Sequence, residues 1–152
     1  RRQPATLPPA VLDDSAEAAD HLMRIGGAYL LVDGYNATLS TWPGLSITEQ
    51  RHRLIDALAE LSSRTGVEAI VVFDGDEQAT GAPRQPRRPV KIRFSGPGVE
   101  ADDVIIDLVA DLPPHRSVIV ASDDRRVRAG AEERGANVIS NDQLFAALRR
   151  ER

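Results

Sequence analysis

Short apolar runs separated by longer mixed stretches give the chain its first visible pattern. The runs at residues 29–33 and 69–73 are continuous rather than alternating, which is typical of strands buried on both faces of a sheet. A third strongly apolar run covers residues 117–121. Shorter runs at residues 90–94 and 137–139 are consistent with two further strands. The pattern therefore predicts five strands.

Helical spacing of apolar residues fills the intervals between these strands. The clearest helix begins with a capping box at Ser46 and Glu49, continues through Leu54, Leu58 and Leu61, and ends at Gly66. Similar patterns predict helices at residues 13–25, from 99 to the prolines at 113–114, after the acids at 123–124 as far as about 134, and from 141 onward. Strands that alternate with helices indicate a three-layer α/β/α sandwich with a central, mainly parallel sheet.

Length and composition indicate one domain with a short attachment. A chain of 152 residues that is 41% apolar can bury one core. We interpret residues 1–27 as an N-terminal linker and helix, residues 28–152 as the domain, and the proline-rich stretch at 75–89 as an irregular loop. No apolar run approaches the roughly 20 residues that span a bilayer, so no membrane association is expected. The absence of cysteine fits a cytoplasmic protein and leaves only oxygen or histidine as metal ligands.

Acidic residues follow three of the predicted strands at the point where each strand ends. Asp33 closes the first strand, Asp74 follows the second, and Asp123 comes two residues after the run that ends at Ala121. In an open parallel sheet, ligands bind outside the carboxyl ends of the strands. Each acid alone could be a turn residue or a helix cap, but their recurrence at three strand ends predicts a shared site.

A second acidic group begins the helix that follows the loop. Glu100 and Asp103 are spaced i and i+3, which predicts that they share one helical face near the positive end of the helix dipole. Asp102 and Asp124 extend the same cluster. So many carboxylates are expected to need cations nearby. Because the ligands would be oxygens, the preferred ions are Mg²⁺ or Mn²⁺.

Basic residues are concentrated beside these acids, although the formal net charge is −4. An acidic site that handles a polyanion needs such residues to hold the flanking phosphates. For the basic residues between positions 84 and 93, an ordinary solvated loop is the alternative explanation. Arg51 and Arg53 are expected on the exposed face of their helix. Tyr35 and Trp42 could stack on unpaired bases or cover the sheet edge. The candidate phosphate-binding residues are Arg84, Arg87, Arg88, Lys91, Arg93, Arg125, Arg126 and Arg128.

Three motifs resemble those of a known family. Asp33-Gly-Tyr-Asn36 after a buried strand resembles the first motif of YacP-like (NYN) nucleases within the PIN-like superfamily. Residues 100–105 are similar to the acidic motif of the 5′-nuclease domain of bacterial DNA polymerase I, which is a related PIN-like fold. Residues 121–124 resemble the later strand-end motif of the family. The resemblance covers about residues 28 to 148.

The resemblance implies a metal-dependent ribonuclease that acts as an endonuclease, with single-stranded RNA as its expected substrate. It also implies that Asn36 orients a ligand or a phosphate. The implied metal is Mg²⁺ or Mn²⁺. Asp33, Asp74, Asp103 and Asp123 are the implied catalytic ligands, with Glu100, Asp102 and Asp124 as further or supporting ligands.

Two alternatives stay open at this stage. One is a non-catalytic RNA-binding or ribosome-binding module that keeps the fold without turnover. The other is a 5′-nuclease that acts on DNA. The second follows from Glu100, because YacP proteins carry Thr or a similar residue at that place.

Overall fold

A computed structural model describes residues 1–75 and 90–149 of the chain. Helices and strands alternate along most of its length, as the apolar pattern predicts. The elements are α1 (Ala16–Met23), β1 (Tyr29–Asp33), α2 (Gly34–Thr41), α3 (Ile47–Thr65), β2 (Glu68–Phe73), β3 (Val90–Phe94), α4 (Ala101–Asp111), β4 (Val118–Ala121), α5 (Arg125–Glu133), β5 (Asn137–Ile139) and α6 (Asn141–Arg149).

The five strands form one parallel sheet in the order β3-β2-β1-β4-β5. β1 lies at the centre, and its Val32 pairs with Val71 of β2 on one side and with Ala121 of β4 on the other. The chain proceeds outward from β1 to β3 and then returns to place β4 on the opposite side. Strand order therefore reverses between β1 and β4, and a crevice is expected there at the carboxyl ends of the strands.

Alternate residues of the strands pack into two separate apolar layers. Leu30 and Val32 belong to the layer formed with α1, α2, α3 and α6, whereas Leu31 belongs to the layer formed with α4 and α5. All three side chains are fully buried. Burial on both faces explains why these strands are continuous apolar runs. The predicted three-layer α/β/α architecture with a parallel sheet is confirmed.

The N-terminal residues are packed against the domain. The guanidinium of Arg2 donates hydrogen bonds to the carbonyls of Val109 and Leu112, both at 2.8 Å, and to those of Pro113 and Arg116. These carbonyls lie at and just beyond the end of α4, where a cation is favourable for the helix dipole. Burial of this guanidinium lowers the pKa of Arg2.

α1 shares its core with the rest of the chain. Its Leu22 and Met23 lie in the same apolar layer as Leu144 of α6. The predicted boundary at residue 27 therefore does not separate two cores. Within the described ranges, no helix is long and apolar enough to cross a membrane.

Two features of the fold differ from the sequence-based expectation. One is α2, which begins at Gly34 and which the apolar pattern did not predict. Arg51 was expected on an exposed helix face, but it is fully buried and donates a hydrogen bond to the Tyr35 hydroxyl at 3.0 Å. That expectation was wrong because it considered charge alone, whereas a long side chain can be buried when its polar atoms find partners.

Gly34 provides a direct test of how α2 is placed on the sheet. A Cβ at this position would collide with the Phe73 ring and with the Val72 carbonyl oxygen. We expect Gly34→Ala to lower the free energy of unfolding by about 1–3 kcal/mol in urea denaturation, because the core must shift to admit the methyl group. Gly44→Ala is the matched control, since a Cβ there meets nothing within 4 Å. Equal stabilities of the two variants would contradict this packing.

Candidate functional site

The Asp33 carboxylate lies at the end of β1, beside the point where strand order reverses. Asp33 is only 6% exposed. Its Oδ2 accepts a hydrogen bond from the Ser122 hydroxyl at 2.9 Å, and Ser122 is itself fully buried just after β4. The Ser122 oxygen in turn accepts a hydrogen bond from the backbone N–H of Asp124 at 3.0 Å. Ser122 therefore fixes one oxygen of Asp33 and the start of α5 at once.

A crevice of about 470 Å³ opens above Asp33. Its volume is in the range of sites that bind small ligands. The acidic lining residues come from β1, the segment after β2 and the starts of α4 and α5, whereas α2 contributes uncharged residues. The lining residues are Asp33, Tyr35, Asn36, Leu39, Asp74, Glu100, Ala101, Asp102 and Asp124.

The carboxylates of the crevice act on one another electrostatically. The pKa of Asp33 is raised to about 6: burial is the largest cause, the Ser122 hydrogen bond opposes the shift, and the nearby charges of Asp102, Asp124 and Asp74 act in the same direction as burial. Burial also raises the pKa of Asp102, and the charge of Asp124 acts in the same direction. A cation in the crevice would relieve both the desolvation and the repulsion.

The donors in the crevice suit a hard divalent cation. The charged residues that line the crevice are all Asp or Glu, and their carboxylate oxygens are the ligands that Mg²⁺ and Mn²⁺ prefer. Among residues 1–75 and 90–149, no three acidic or histidine side chains stand close enough together to share one ion. The fit to a cation therefore rests on the chemistry of the donors and on the raised pKa values of Asp33 and Asp102.

Asp74 lines the crevice and also fixes the start of α4. Its Oδ1 accepts hydrogen bonds from the backbone N–H of Ala101 at 3.1 Å and from the Ser95 hydroxyl at 3.2 Å. The side chain of Glu100, the N-cap residue of α4, makes no capping hydrogen bond. Asp74, which follows β2, therefore accepts a backbone N–H of the first turn of α4, in the role that an N-cap side chain usually has.

Neither Asp103 nor Asp123 lines the crevice. Asp103 is exposed and pairs with Arg126, as does Glu100. Asp123 accepts a hydrogen bond from the backbone N–H of Asn141 at 2.9 Å, and so caps the first turn of α6. The structure therefore brings together Asp33, Asp74, Glu100, Asp102 and Asp124, and leaves Asp103 and Asp123 outside the lining.

Adjacent acids take different roles for a local reason. Glu100, the N-cap residue of α4, and Asp103 both pair with Arg126, but of these two only Glu100 also lines the crevice. Asp102, in the first turn of α4, is the helical acid that faces the crevice. Asp124 is likewise the N-cap of α5: it lines the crevice, while its Oδ1 accepts the Val127 N–H at 3.0 Å.

The predicted basic residues are distributed in three ways. Arg84, Arg87 and Arg88 lie outside the described residues. Lys91 and Arg93 on β3 and Arg125 at the start of α5 are exposed, and Arg128 donates a hydrogen bond to the Ser122 carbonyl at 2.9 Å.

Arg126 is exposed and pairs with three acids at the start of α4. Its guanidinium pairs with Asp103 and reaches Glu100 and Asp102, both at 3.5 Å. The hydrogen bond with Asp103 is the main reason that the pKa of Arg126 is raised. Arg126 thus joins the start of α5 to the start of α4.

Asn36 lines the crevice and holds three helices together. Its Oδ1 accepts hydrogen bonds from the Asp123 N–H at 3.1 Å and from Nδ2 of Asn141 at 3.0 Å. Nδ2 of Asn141 also donates to the Asn36 carbonyl at 3.1 Å. These bonds connect α2 to the starts of α5 and α6, and so fix the side of the crevice that carries Asn36.

The two aromatic side chains proposed for base stacking already pack within the protein. The Tyr35 ring lies 5.0 Å from the Phe73 ring, and its hydroxyl accepts the Arg51 hydrogen bond. The Trp42 ring meets the Phe145 ring edge-on at 5.2 Å. Tyr35 still contributes to the crevice, whereas Trp42 is not among its lining residues.

Sequence reasoning missed Ser122 and Leu39. A small polar residue such as Ser122, between an apolar strand and two acids, is a signal for a buried hydrogen bond to a neighbouring strand end. Leu39 gave no signal, because one apolar residue in a polar stretch is ordinary.

Comparison with known proteins identifies a matching family and structures of similar fold. A family model described as the YacP-like NYN domain matches residues 30–152. The curated "Uncharacterized protein YacP" of Bacillus subtilis (strain 168) is 37% identical over an alignment of 89 residues, and the match covers 55% of this chain and 52% of that protein. The chain thus matches about half the length of this relative.

Two solved structures, both titled Rae1 (YacP) from Bacillus subtilis, resemble the fold. The first, a mutant form, gives a TM-score of 0.66 at 31% identity and covers 80% of this chain and 74% of that chain. The second gives a TM-score of 0.65 at 30% identity, with 79% and 72% covered. The similarity therefore includes the greater part of the fold described above.

The raised pKa of Asp33 predicts how stability depends on pH without divalent cations. Because the folded pKa is about 6 and the ordinary value is 3.8, the folded protein binds more protons between these values. Stability should then fall as pH rises from about 4 to 6. Asp33→Asn in EDTA at pH 7.5 should be more stable by about 1–3 kcal/mol and should lose this dependence.

Urea denaturation at several pH values measures this effect. Asp56→Asn is the matched control, because Asp56 is exposed on α3 away from the crevice, and it should leave the pH dependence unchanged. A destabilised Asp33→Asn variant would mean that the Asp33 carboxylate supports the fold rather than straining it.

Proposed function

The chain belongs to the YacP-like NYN family, which is nuclease-like, and on that premise we propose that it is a metal-dependent endoribonuclease. The observation that carries the proposal is the buried Asp33 carboxylate among further acids at the strand-order reversal. An uncompensated group of this kind is unfavourable for stability, and such groups are concentrated at functional sites.

Mg²⁺ or Mn²⁺ would be held by one or two of the crevice carboxylates at a time, with water and substrate phosphate oxygens as the remaining ligands. Asp33 and Asp102, whose pKa values are raised, would be the main ligands, with Asp74, Glu100 and Asp124 beside them. When bound, such ions activate water and stabilise the leaving oxygen of a phosphodiester. Asp103 and Asp123, which the family resemblance also suggests as ligands, act through Arg126 and α6 in this proposal.

The protein's own residues orient the site. Ser122 fixes Asp33, Asp74 fixes the start of α4, and Asn36 fixes the α2 side. Lys91, Arg93 and Arg125 are exposed cations that suit the phosphates of a flanking RNA strand. The absence of cysteine fits action in the reducing cytoplasm.

The direct test is cleavage of a labelled single-stranded RNA and a DNA of matched sequence, with Mg²⁺, Mn²⁺ or EDTA. We expect cleavage of RNA with Mn²⁺ or Mg²⁺, internal cuts, and no cleavage in EDTA. Asp33→Asn and Asp102→Asn should each lower kcat by at least about 100-fold, because loss of a ligand should cost more than loss of a supporting residue. Asp56→Asn, purified in the same way, should cleave like the unchanged protein.

Other outcomes separate the alternatives. Faster cleavage of DNA would favour the 5′-nuclease, for which the position of Glu100 in the crevice is the supporting observation. RNA binding that persists in EDTA, with no cleavage under any divalent ion, would favour a non-catalytic RNA-binding or ribosome-binding module. Equal activity of Asp33→Asn and the unchanged protein would contradict the proposed site.

Ser122→Ala tests the hydrogen bond that holds Asp33. This bond lowers the pKa of Asp33, so its loss should raise that pKa further and make the proton a stronger competitor for the metal. We expect about 10- to 100-fold lower activity and a pH–activity profile whose acid limb moves to higher pH. The exposed Ser63→Ala serves as control, and an unmoved acid limb in Ser122→Ala would contradict the role.

A further inference from the structure

The α2 side of the crevice differs chemically from every other side. The eight residues of α2, Gly34–Thr41, include no acid and no base. Tyr35, Asn36 and Leu39 line the crevice from this helix, at spacings of three and four residues that place them on one face. The acids that line the crevice all come from β1, the segment after β2, and the starts of α4 and α5.

Leu39 is the side chain on this face whose apolar surface is open to the crevice. It is 50% exposed, whereas Ala37 of the same helix is fully buried in the core. Tyr35 is half-buried against Phe73, and the Asn36 side-chain oxygen is already occupied by two hydrogen bonds. Because Leu39 is half exposed and lines the crevice, it offers an apolar surface to a ligand that binds there.

An RNA nucleotide has two parts that match the two kinds of wall. Its phosphate can approach the carboxylates only where a cation lies between them. Its base is uncharged and would strip water from the acids if it packed against them, which is unfavourable. The uncharged α2 face is therefore the favourable place for the base, and a crevice of about 470 Å³ is in the size range of small-ligand sites.

We propose that Leu39, beside the edge of Tyr35, forms the surface against which an unpaired nucleobase next to the scissile phosphate packs. The proposal rests on the proposed ribonuclease function and adds to it the surface that holds one base of the single-stranded RNA. Bases of an RNA duplex remain stacked within the helix, whereas those of a single strand can turn outward onto a protein surface. Leu39 is a positioning residue in this account, because it binds the substrate away from the reacting atoms.

The experiment compares two oligoribonucleotides that share one cleavage site. One is intact, and the other lacks the base beside the scissile phosphate. With the unchanged protein, we expect the abasic substrate to have about 10-fold lower kcat/KM. Leu39→Ala should lose roughly 5- to 10-fold on the intact substrate, mainly through KM, and should lose little more on the abasic one.

Equal cleavage of the intact substrate by Leu39→Ala and the unchanged protein would overturn the proposal. A second contradicting result would be that Leu39→Ala lowers kcat/KM as much on the abasic substrate as on the intact one. The two losses would then be independent, which means that Leu39 and the base do not contact each other. Leu39→Ala should fold normally, since Leu39 is half exposed and alanine is favourable in a helix. Leu12→Ala, at a leucine that is 70% exposed outside the crevice, is the matched control.

A binding measurement keeps this test separate from the proposed function. If the unchanged protein cleaves no RNA, the ribonuclease proposal fails, and the same single-stranded oligomer carrying 2-aminopurine at the chosen position is titrated with Mn²⁺ present. Quenched fluorescence with the unchanged protein and at least about 5-fold weaker binding to Leu39→Ala would still support the base-binding surface. Equal binding by the two proteins would overturn it.

Discussion

The burial of one carboxylate at the place where the sheet reverses its strand order is the constraint from which the site follows. Asp33 ends the central strand, so its side chain meets the ends of β2 and β4 and the starts of α4 and α5. Its pKa is raised to about 6, mainly because the carboxylate is removed from water and also because of the neighbouring acids. A fold optimised for stability alone would not keep an acid there. The arrangement is intelligible if a divalent cation completes it.

Several acids near the crevice serve the protein's structure at the same time. Asp74 accepts the first N–H of α4, Asp124 caps α5, and Asp123 caps α6. Carboxylates are favourable at these helix starts because of the unpaired N–H groups and the dipole there. Arg126 adds a local positive charge next to Asp103 and Asp102. Helix capping thus explains how so much negative charge can gather at one edge of the sheet before any ion binds.

Much of this was predictable from sequence. Continuous apolar runs indicated the buried strands, and acids at their ends indicated the edge where a site would form. The choice between neighbouring acids was not predictable: Asp102 and Asp103 differ by about 100° of helical rotation within α4, and Asp123 and Asp124 lie just before α5, where Asp124 is the N-cap residue. Which one faces inward depends on where the helix begins, and Glu100 and Asp124 are the N-caps that set this. The sequence did not predict α2, because the position of this helix depends on tertiary packing, such as the close approach of Gly34 to Phe73.

The measurement that tests this account most directly is calorimetric titration of Mn²⁺ into the unchanged protein and into Asp33→Asn, at pH 6 and pH 8, in buffers of different ionisation enthalpy. Because about half of Asp33 would carry a proton near pH 6, metal binding should release a proton there and release little at pH 8. Asp33→Asn should bind Mn²⁺ at least about 10-fold more weakly and should release no proton from this position. Equal Mn²⁺ affinity in the two proteins, or binding to neither, would contradict the claim that the buried acid exists to hold a cation.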